Sequence, residues 1–247
     1  QKYSKSKLQN QSNQTYNTNW QQSFWNFIKT WLDDNDFVEV KTSGSTGTPK
    51  IIRLEKKRMI ASAKATGNFF DLKQNDKALL CLPCDYIAGK MMVVRAMVLG
   101  LDLYSVEPNG NPLNNDLITN IDFQFGAMIP LQVLNSLQNQ PNQFDKIQKV
   151  IIGGGVVDNL LLQKLQTTKN QCFATYGMTE TITHIAVKTL NGIHKTNLYN
   201  ALENVKFSKD SRECLIIDAP HLSENQIITN DIINLNSTLS FEWMGRF

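Results

Sequence analysis

Apolar positions along this chain repeat with two different periods, and the change of period divides it. Trp20, Phe24, Phe27, Ile28, Trp31 and Leu32 recur at helical spacing, which predicts an amphipathic helix that Asn19 could cap. A short strand over 37–40 follows. Beyond a glycine- and hydroxyl-rich run, Pro49 and the pair Ile51-Ile52 lead into another strand. From Lys77 to Tyr176, strands predicted at 77–82, 101–106, 123–129, 149–152 and 171–175 alternate with helices at 87–99, 131–137 and 157–165. That alternation implies an α/β fold, mainly parallel sheets packed with helices. After Glu180 the helical period fades. Short strands at 182–187, 205–207, 214–217, 227–228 and 239–243, separated by Asn, Asp and Pro, predict an antiparallel or barrel-like C-terminal subdomain. Residues 1–19, rich in Asn, Gln, Ser and Lys, read as a flexible polar arm.

At 247 residues, with 41% hydrophobic and 19% charged side chains, the composition is that of a globular domain. The best candidate for a membrane span, 87–101, is interrupted by Lys90 and Arg95, so no span is expected. The polar start lacks Met and an apolar stretch, and reads as a truncated start rather than a signal peptide. Four cysteines are too few for a disulfide scaffold at this length, so a reducing, cytoplasmic setting is expected.

Net charge is only +3, but it is unevenly placed. Lys41, Lys50, Arg53, Lys56, Lys57 and Arg58 face a single acid, Glu55, within one short segment. A nucleic-acid binder spreads its cations over a face, so this block predicts a small polyanion instead. Inside it lies Thr42-Ser43-Gly44-Ser45-Thr46-Gly47-Thr48-Pro49-Lys50. Glycines allow close backbone approach to an anion, hydroxyls and N–H groups donate to phosphate oxygens, and Lys50 adds charge. The plainer alternative is a solvated Ser/Gly turn. A Walker loop fails on order, because Pro49 precedes the lysine and Ile51 follows where a hydroxyl is needed.

Four further segments follow in order. Ile151-Ile152-Gly153-Gly154-Gly155 is a buried-strand pattern ending in glycines, which leave room for a flat ring. Tyr176-Gly177-Met178-Thr179-Glu180, Thr229-Asn230-Asp231 and Gly245-Arg246 come after it. Together with the 42–50 loop they resemble the adenylate-forming superfamily (AMP-binding enzymes such as acyl-CoA synthetases, peptide-synthetase adenylation domains and luciferase-like enzymes). The resemblance covers residues 37–247, with Asn230 where the family usually has glycine.

The resemblance implies the large domain of the acyl-CoA synthetase-like fold, with a nucleotide-binding core over 20–180 and a β-rich part over 181–247 that ends at a hinge. The family's small C-terminal domain is absent from these residues, and with it the lysine for the first step. ATP binding with poor adenylation is therefore expected of them. It further implies ATP, Mg²⁺ and coenzyme A as reactants. A carboxylate attacks the α-phosphorus, pyrophosphate leaves, and a thiolate takes the acyl group.

By the same resemblance Thr42, Ser43, Gly44, Ser45, Thr46, Gly47 and Lys50 cradle phosphates, and Gly153, Gly154 and Gly155 flank adenine. Tyr176 and Gly177 pack near it, Thr179 meets the α-phosphate, Glu180 holds the metal, and Asp231 and Arg246 reach the ribose. Lys50, Thr179 and Glu180 would be catalytic. Mg²⁺ takes few protein carboxylates beside substrate phosphates, so one glutamate suffices.

The segments 86–92 and 179–186 are similar to those of compact o-succinylbenzoate–CoA ligases of menaquinone synthesis. This implies a small dicarboxylic acid as substrate, with no nucleic-acid partner. Lys90, His184 and Met178 are its candidate contacts, although Lys90 could simply reach solvent and His184 could be structural. Two other readings stay open: an adenylation domain serving a carrier protein, and a nucleotide-binding module without turnover. Cys81-Leu82-Pro83-Cys84 carries a redox spacing but coincides with the family's Leu-Pro turn. Asp33, Asp34 and Asp36 read as a solvated helix end.

Overall fold

A computed structural model describes residues 18–41 and 51–247. The loop 42–50, with its predicted phosphate contacts, and the polar arm up to residue 17 lie outside the described residues.

Helix α1 (Asn19–Leu32) precedes an antiparallel pair, β1 (Phe37–Lys41) and β2 (Ile51–Glu55), in which Val38 lies opposite Leu54. Thr18, not Asn19, takes the capping position of α1, and its side chain makes no cap bond. Helix α2 (Lys56–Phe69) follows directly.

The remaining strands form one mixed sheet. They are β3 (Lys77–Leu80), β4 (Asp102–Ser105), β5 (Phe123–Met128), β6 (Ile147–Ile152), β7 (Gln171–Gly177), β8 (His184–Thr189), β9 (Tyr199–Ala201), β10 (Lys206–Lys209), β11 (Cys214–Asp218), β12 (Ile227–Ser237) and β13 (Ser240–Arg246). Their order is β10-β11-β12-β13-β9-β8-β7-β6-β5-β3-β4. Strands β4, β3, β5, β6 and β7 run parallel, and every pairing from β7 to β10 is antiparallel. Of the two arrangements expected after Glu180, the antiparallel one forms, and it extends the sheet through β8.

Side chains on a strand alternate between faces, so neighbours such as Ile151 and Ile152, or Leu80 and Leu79, enter different cores. One core takes Phe27 and Ile28 of α1, Met59 and Ala63 of α2, and Met91 to Val94 of α3 (Ile87–Leu99). The other takes Val133 of α4 (Pro130–Asn139), Phe144 of α5 (Pro141–Phe144) and Leu161 and Leu165 of α6 (Asn159–Leu165). Buried Gln132 ties α4 to the sheet, its Nε2 donating to the carbonyls of Cys81 and Asn109 at 2.9 Å.

Four cations of the basic block pair with acids, so the expectation of a small polyanion falls to Lys50 and its loop, outside the described residues. Arg53 pairs with Glu39 at 3.1 Å, Lys56 with Asp33 at 2.8 Å, Lys57 with Glu55 at 2.8 Å, and Arg58 with both Glu55 and Glu224. Asp33 closes α1 and also accepts from the Asn35 N–H at 3.0 Å, so the acidic cluster fastens α1 to the start of α2.

Candidate active site

Strands β6 and β7 are parallel neighbours, with Ile152 beside Ala174, and their carboxyl ends carry two of the predicted segments. Ligands of open α/β sheets bind beyond such strand ends. Gly153 leaves β6 against Thr175: a Cβ there would lie 2.6 Å from the Thr175 hydroxyl oxygen, which itself donates to the Ile152 carbonyl. Beyond it, Gly155 and Tyr176 both line a cleft of about 210 Å³ shared with Thr175, Lys188, Tyr199 and Trp243.

Tyr176 is held on three sides. Its ring meets Phe241 edge-on at 5.1 Å and Tyr199 at 5.8 Å, and its hydroxyl donates to Asp231 Oδ2 at 2.6 Å. Burial, and next the Asp231 carboxylate, push its pKa up, so it remains a neutral donor. Asp231 reaches this position because β12 pairs with β13, placing it opposite Arg246; the Arg246 Nε is 3.8 Å from its other oxygen. Thr229 supports the bend, donating to the Leu215 carbonyl and accepting from the Asp231 N–H. Thus Gly155 and Tyr176 share the wall of the cleft, and Asp231 and Arg246 are linked to Tyr176 beside it.

The connection from β7 to β8 is tightly wound. A Cβ on Gly177 would sit 2.3 Å from the Thr183 carbonyl oxygen, so glycine alone fits there. Thr181 pins the turn: its hydroxyl accepts from the Met178 N–H at 2.9 Å and lies 2.7 Å from the Thr183 carbonyl oxygen. Ile182 has φ 66° and ψ −58°, with the Thr183 N–H bonded to the Thr181 carbonyl at 2.7 Å. This is a positive-φ γ-turn, a strained conformation for a β-branched residue, of the kind that gathers at functional sites. Thr179 and Glu180 ride on this turn, Glu180 exposed and Thr179 half-buried. Met178 packs against the larger core.

Beneath the turn lies a feature that sequence reading missed. Arg95 on α3 is 1% exposed, and no carboxylate contacts it among the described residues. Its guanidinium donates to Thr66 Oγ1 at 3.3 Å, to Thr183 Oγ1 at 3.4 Å and to His184 Nδ1 at 3.4 Å. His184 is then neutral, with Nε2–H facing Thr66 Oγ1, whose own proton goes to the Ser62 carbonyl. Burial, and next the Arg95 charge, hold His184 well below the usual histidine range, while burial draws Arg95 down to about 9. A fully buried cation without an acid is costly unless an anion joins it.

Residues 7–221 match the family described as AMP-binding enzyme. The chain belongs to this family. An acyl-CoA synthetase (AMP-forming)/AMP-acid ligase II-like protein from Dyadobacter fermentans is 34% identical, with a TM-score of 0.88 over 99% of this chain and 69% of that one. The 2-succinylbenzoate–CoA ligase of Oceanobacillus iheyensis is 27% identical over 163 residues, 63% of this chain and 33% of that protein. The chain therefore spans about a third of the length of such curated relatives. The o-succinylbenzoate coenzyme A synthetase of Bacillus subtilis, solved in complex with ATP and magnesium ion, shares the fold at 18% identity. Its TM-score is 0.70, over 84% of this chain and 49% of that one.

Family membership gives the geometry its frame. The Gly153–Gly155 turn beside Thr175, and the linked Tyr176, Asp231 and Arg246, come from widely separated parts of the sequence to neighbouring places, and Glu180 stands on the turn after Tyr176. Among the described residues no three His, Cys, Asp or Glu side chains gather as a metal cluster. A cation at Glu180 would thus take one protein carboxylate and complete its shell with ligand oxygens, which suits Mg²⁺.

Lys90 has a different setting from Arg95. Its Nζ donates to the carbonyls of Cys84 and Asp85, tying off the turn before α3, and sits 5.4 Å from the Phe27 ring. Cys81 and Cys84 are free and buried, and burial pushes both thiols up to about 12, which removes the thiolate that redox chemistry requires. No helix among the described residues is long and apolar enough to cross a membrane.

Proposed function

We propose that this chain is the nucleotide- and acid-binding part of an AMP-forming acid–CoA ligase whose acid is an aromatic dicarboxylate of the o-succinylbenzoate type. One observation carries the choice of acid: Arg95 is buried with no carboxylate beside it among the described residues, and its hydrogen-bonding group Thr183 ends the turn that bears Thr179 and Glu180. The substrate's second carboxylate would supply the missing anion while the first reacts. A guanidinium suits this role because its planar donors match a carboxylate.

In this reading Tyr176 and Gly153–Gly155 flank the adenine, and Asp231 with Arg246 accepts and donates to the ribose hydroxyls. Lys50, Thr42 to Thr46 and Gly47 hold the phosphate tail, and Thr179 contacts the α-phosphate. Glu180 would hold Mg²⁺, which neutralises phosphate charge when bound. The protein's contribution is positioning and electrostatic stabilisation of a crowded polyanion. The cleft then opens where the core of 20–180 meets the β-rich part of 181–247. Four buried, unpaired cysteines suit a cytoplasmic setting, and coenzyme A is the acceptor.

The test is calorimetry with a non-hydrolysable acyl-adenylate mimic carrying a free second carboxylate, set against its methyl ester. The free acid should bind at least about tenfold more tightly, as for a charged hydrogen bond, and Arg95→Met should erase that difference. Equal affinity of acid and ester for the unmodified protein would refute the choice of acid.

A further inference from the structure

The cleft holds two cations that the reading above does not use, an exposed Lys195 and a half-buried Lys188. Lys188 on β8 lies opposite Ala174 of β7 and lines the cleft with Gly155, Thr175, Tyr176, Tyr199 and Trp243. Its ammonium stands 4.8 Å from the centre of the Tyr199 ring, and Tyr199 in turn packs against Tyr176. Among the described residues its Nζ has no hydrogen bond and no ion pair. Burial draws its pKa down while the Glu242 carboxylate nearby draws it back. The aromatic face offsets part of the desolvation, but it leaves the ammonium's donors free.

The place of Lys188 selects what it can meet. Asp231, Arg246 and Glu180, the residues assigned to ribose and metal, do not line this cleft, whereas Gly155 and Tyr176, assigned to the base, do. The half-buried end around Lys188 includes Ile152, Ala174 and Leu190, whereas Lys195, Thr196 and Asn197 also line the cleft, and the few polar groups among apolar walls fix a ligand's orientation. A purine presents ring nitrogens as acceptors, and an ammonium offers only donors. We infer that Lys188 is a base-reading residue, donating a charge-assisted hydrogen bond to a ring nitrogen of the purine in this cleft. The inference rests on the nucleotide reading above and assigns a contact beyond it.

The experiment is equilibrium binding of ATP and its 1-deaza, 3-deaza and 7-deaza analogues to this chain, each analogue lacking one ring acceptor. One analogue should bind the unmodified protein about 10- to 100-fold more weakly than ATP, the range for losing a hydrogen bond to a charged group. Lys188→Met should bind ATP as weakly as that analogue and no longer distinguish the two, and Lys188→Arg should restore the distinction. Thermal melting of each variant checks that it is folded, and the analogue comparison on the unmodified protein stands without any variant. Lys188→Met binding ATP at full strength, or all three analogues matching ATP on the unmodified protein, would overturn the inference and leave the nucleotide reading intact. No ATP binding by the unmodified protein would overturn both.

Discussion

The Tyr176 hydroxyl and the Asp231 carboxylate, 55 residues apart in sequence, meet at 2.6 Å and join β7 to β12 across the strands between them. Hydrogen bonds to charged groups contribute about 1.5–3 kcal/mol. Tyr176→Phe and Asp231→Asn should each destabilise the fold by roughly that order, and the double variant should lose less than the sum. A urea-unfolding double-mutant cycle measures the coupling; strict additivity would mean that the contact is not made in solution.

Arg95 should behave oppositely. Replacing buried ion pairs with apolar side chains of similar volume is often neutral or stabilising, by about 1–4 kcal/mol, and Arg95 bears the same desolvation with no acid beside it among the described residues. Arg95→Met should therefore hold or raise the denaturation midpoint while abolishing recognition of the free second carboxylate. A clear loss of stability would show that its bonds to Thr66 and Thr183 outweigh its desolvation.

His184 links stability to pH. Its folded pKa lies well below the ordinary 6.5, so below pH 6.5 the unfolded chain takes up a proton that the folded chain refuses. Stability is fully present above about pH 6.5 and declines as pH falls from there toward the depressed value, by at most about 1.4 kcal/mol per pH unit for one proton. His221, half-buried and lowered by burial, adds in the same direction. Denaturant midpoints between pH 7.5 and 5 should fall, and His184→Asn should flatten that fall to the His221 share.

The thiols should be silent in the native protein. All four cysteines are buried, and burial raises Cys81, Cys84 and Cys172 to about 12. A chromogenic disulfide reagent at pH 8 should label them only at the rate of unfolding. Rapid labelling of Cys84 would reopen a redox role for its segment.

Most elements were legible because their periods were clean: α3 occupies its predicted span, and the strands lie within a few residues of expectation except β12, expected at 227–228 and running to Ser237. Helix α2 was not, because it opens on Lys56-Lys57-Arg58 and buries Ser62, Ala63, Thr66 and Gly67, small residues that leave no aliphatic stripe. The three-residue β9 is too short to carry a period. At the site, the glycine turn and Tyr176 were legible as local motifs. The contact with Asp231 was not, since it depends on the register of β12 against β13. Arg95 looked like a mere interruption of an apolar run; only the fold shows that no acid among the described residues meets it. The acidic partners of Arg53, Lys56 and Arg58 were not legible either, because Glu39, Asp33 and Glu224 lie elsewhere in sequence.

The brevity of β9 has a mechanical consequence. Two residue pairs to β8 and two to β13 are the ladder contacts that carry the outer strands, and with them Asp231 and Arg246, on the parallel half of the sheet. Opening is easiest where the fewest bonds must break. The sheet therefore has a narrow waist beside the cleft, and a ligand gripping both sides of that waist acts as a strut, slowing amide exchange in β9 more than anywhere in the parallel strands.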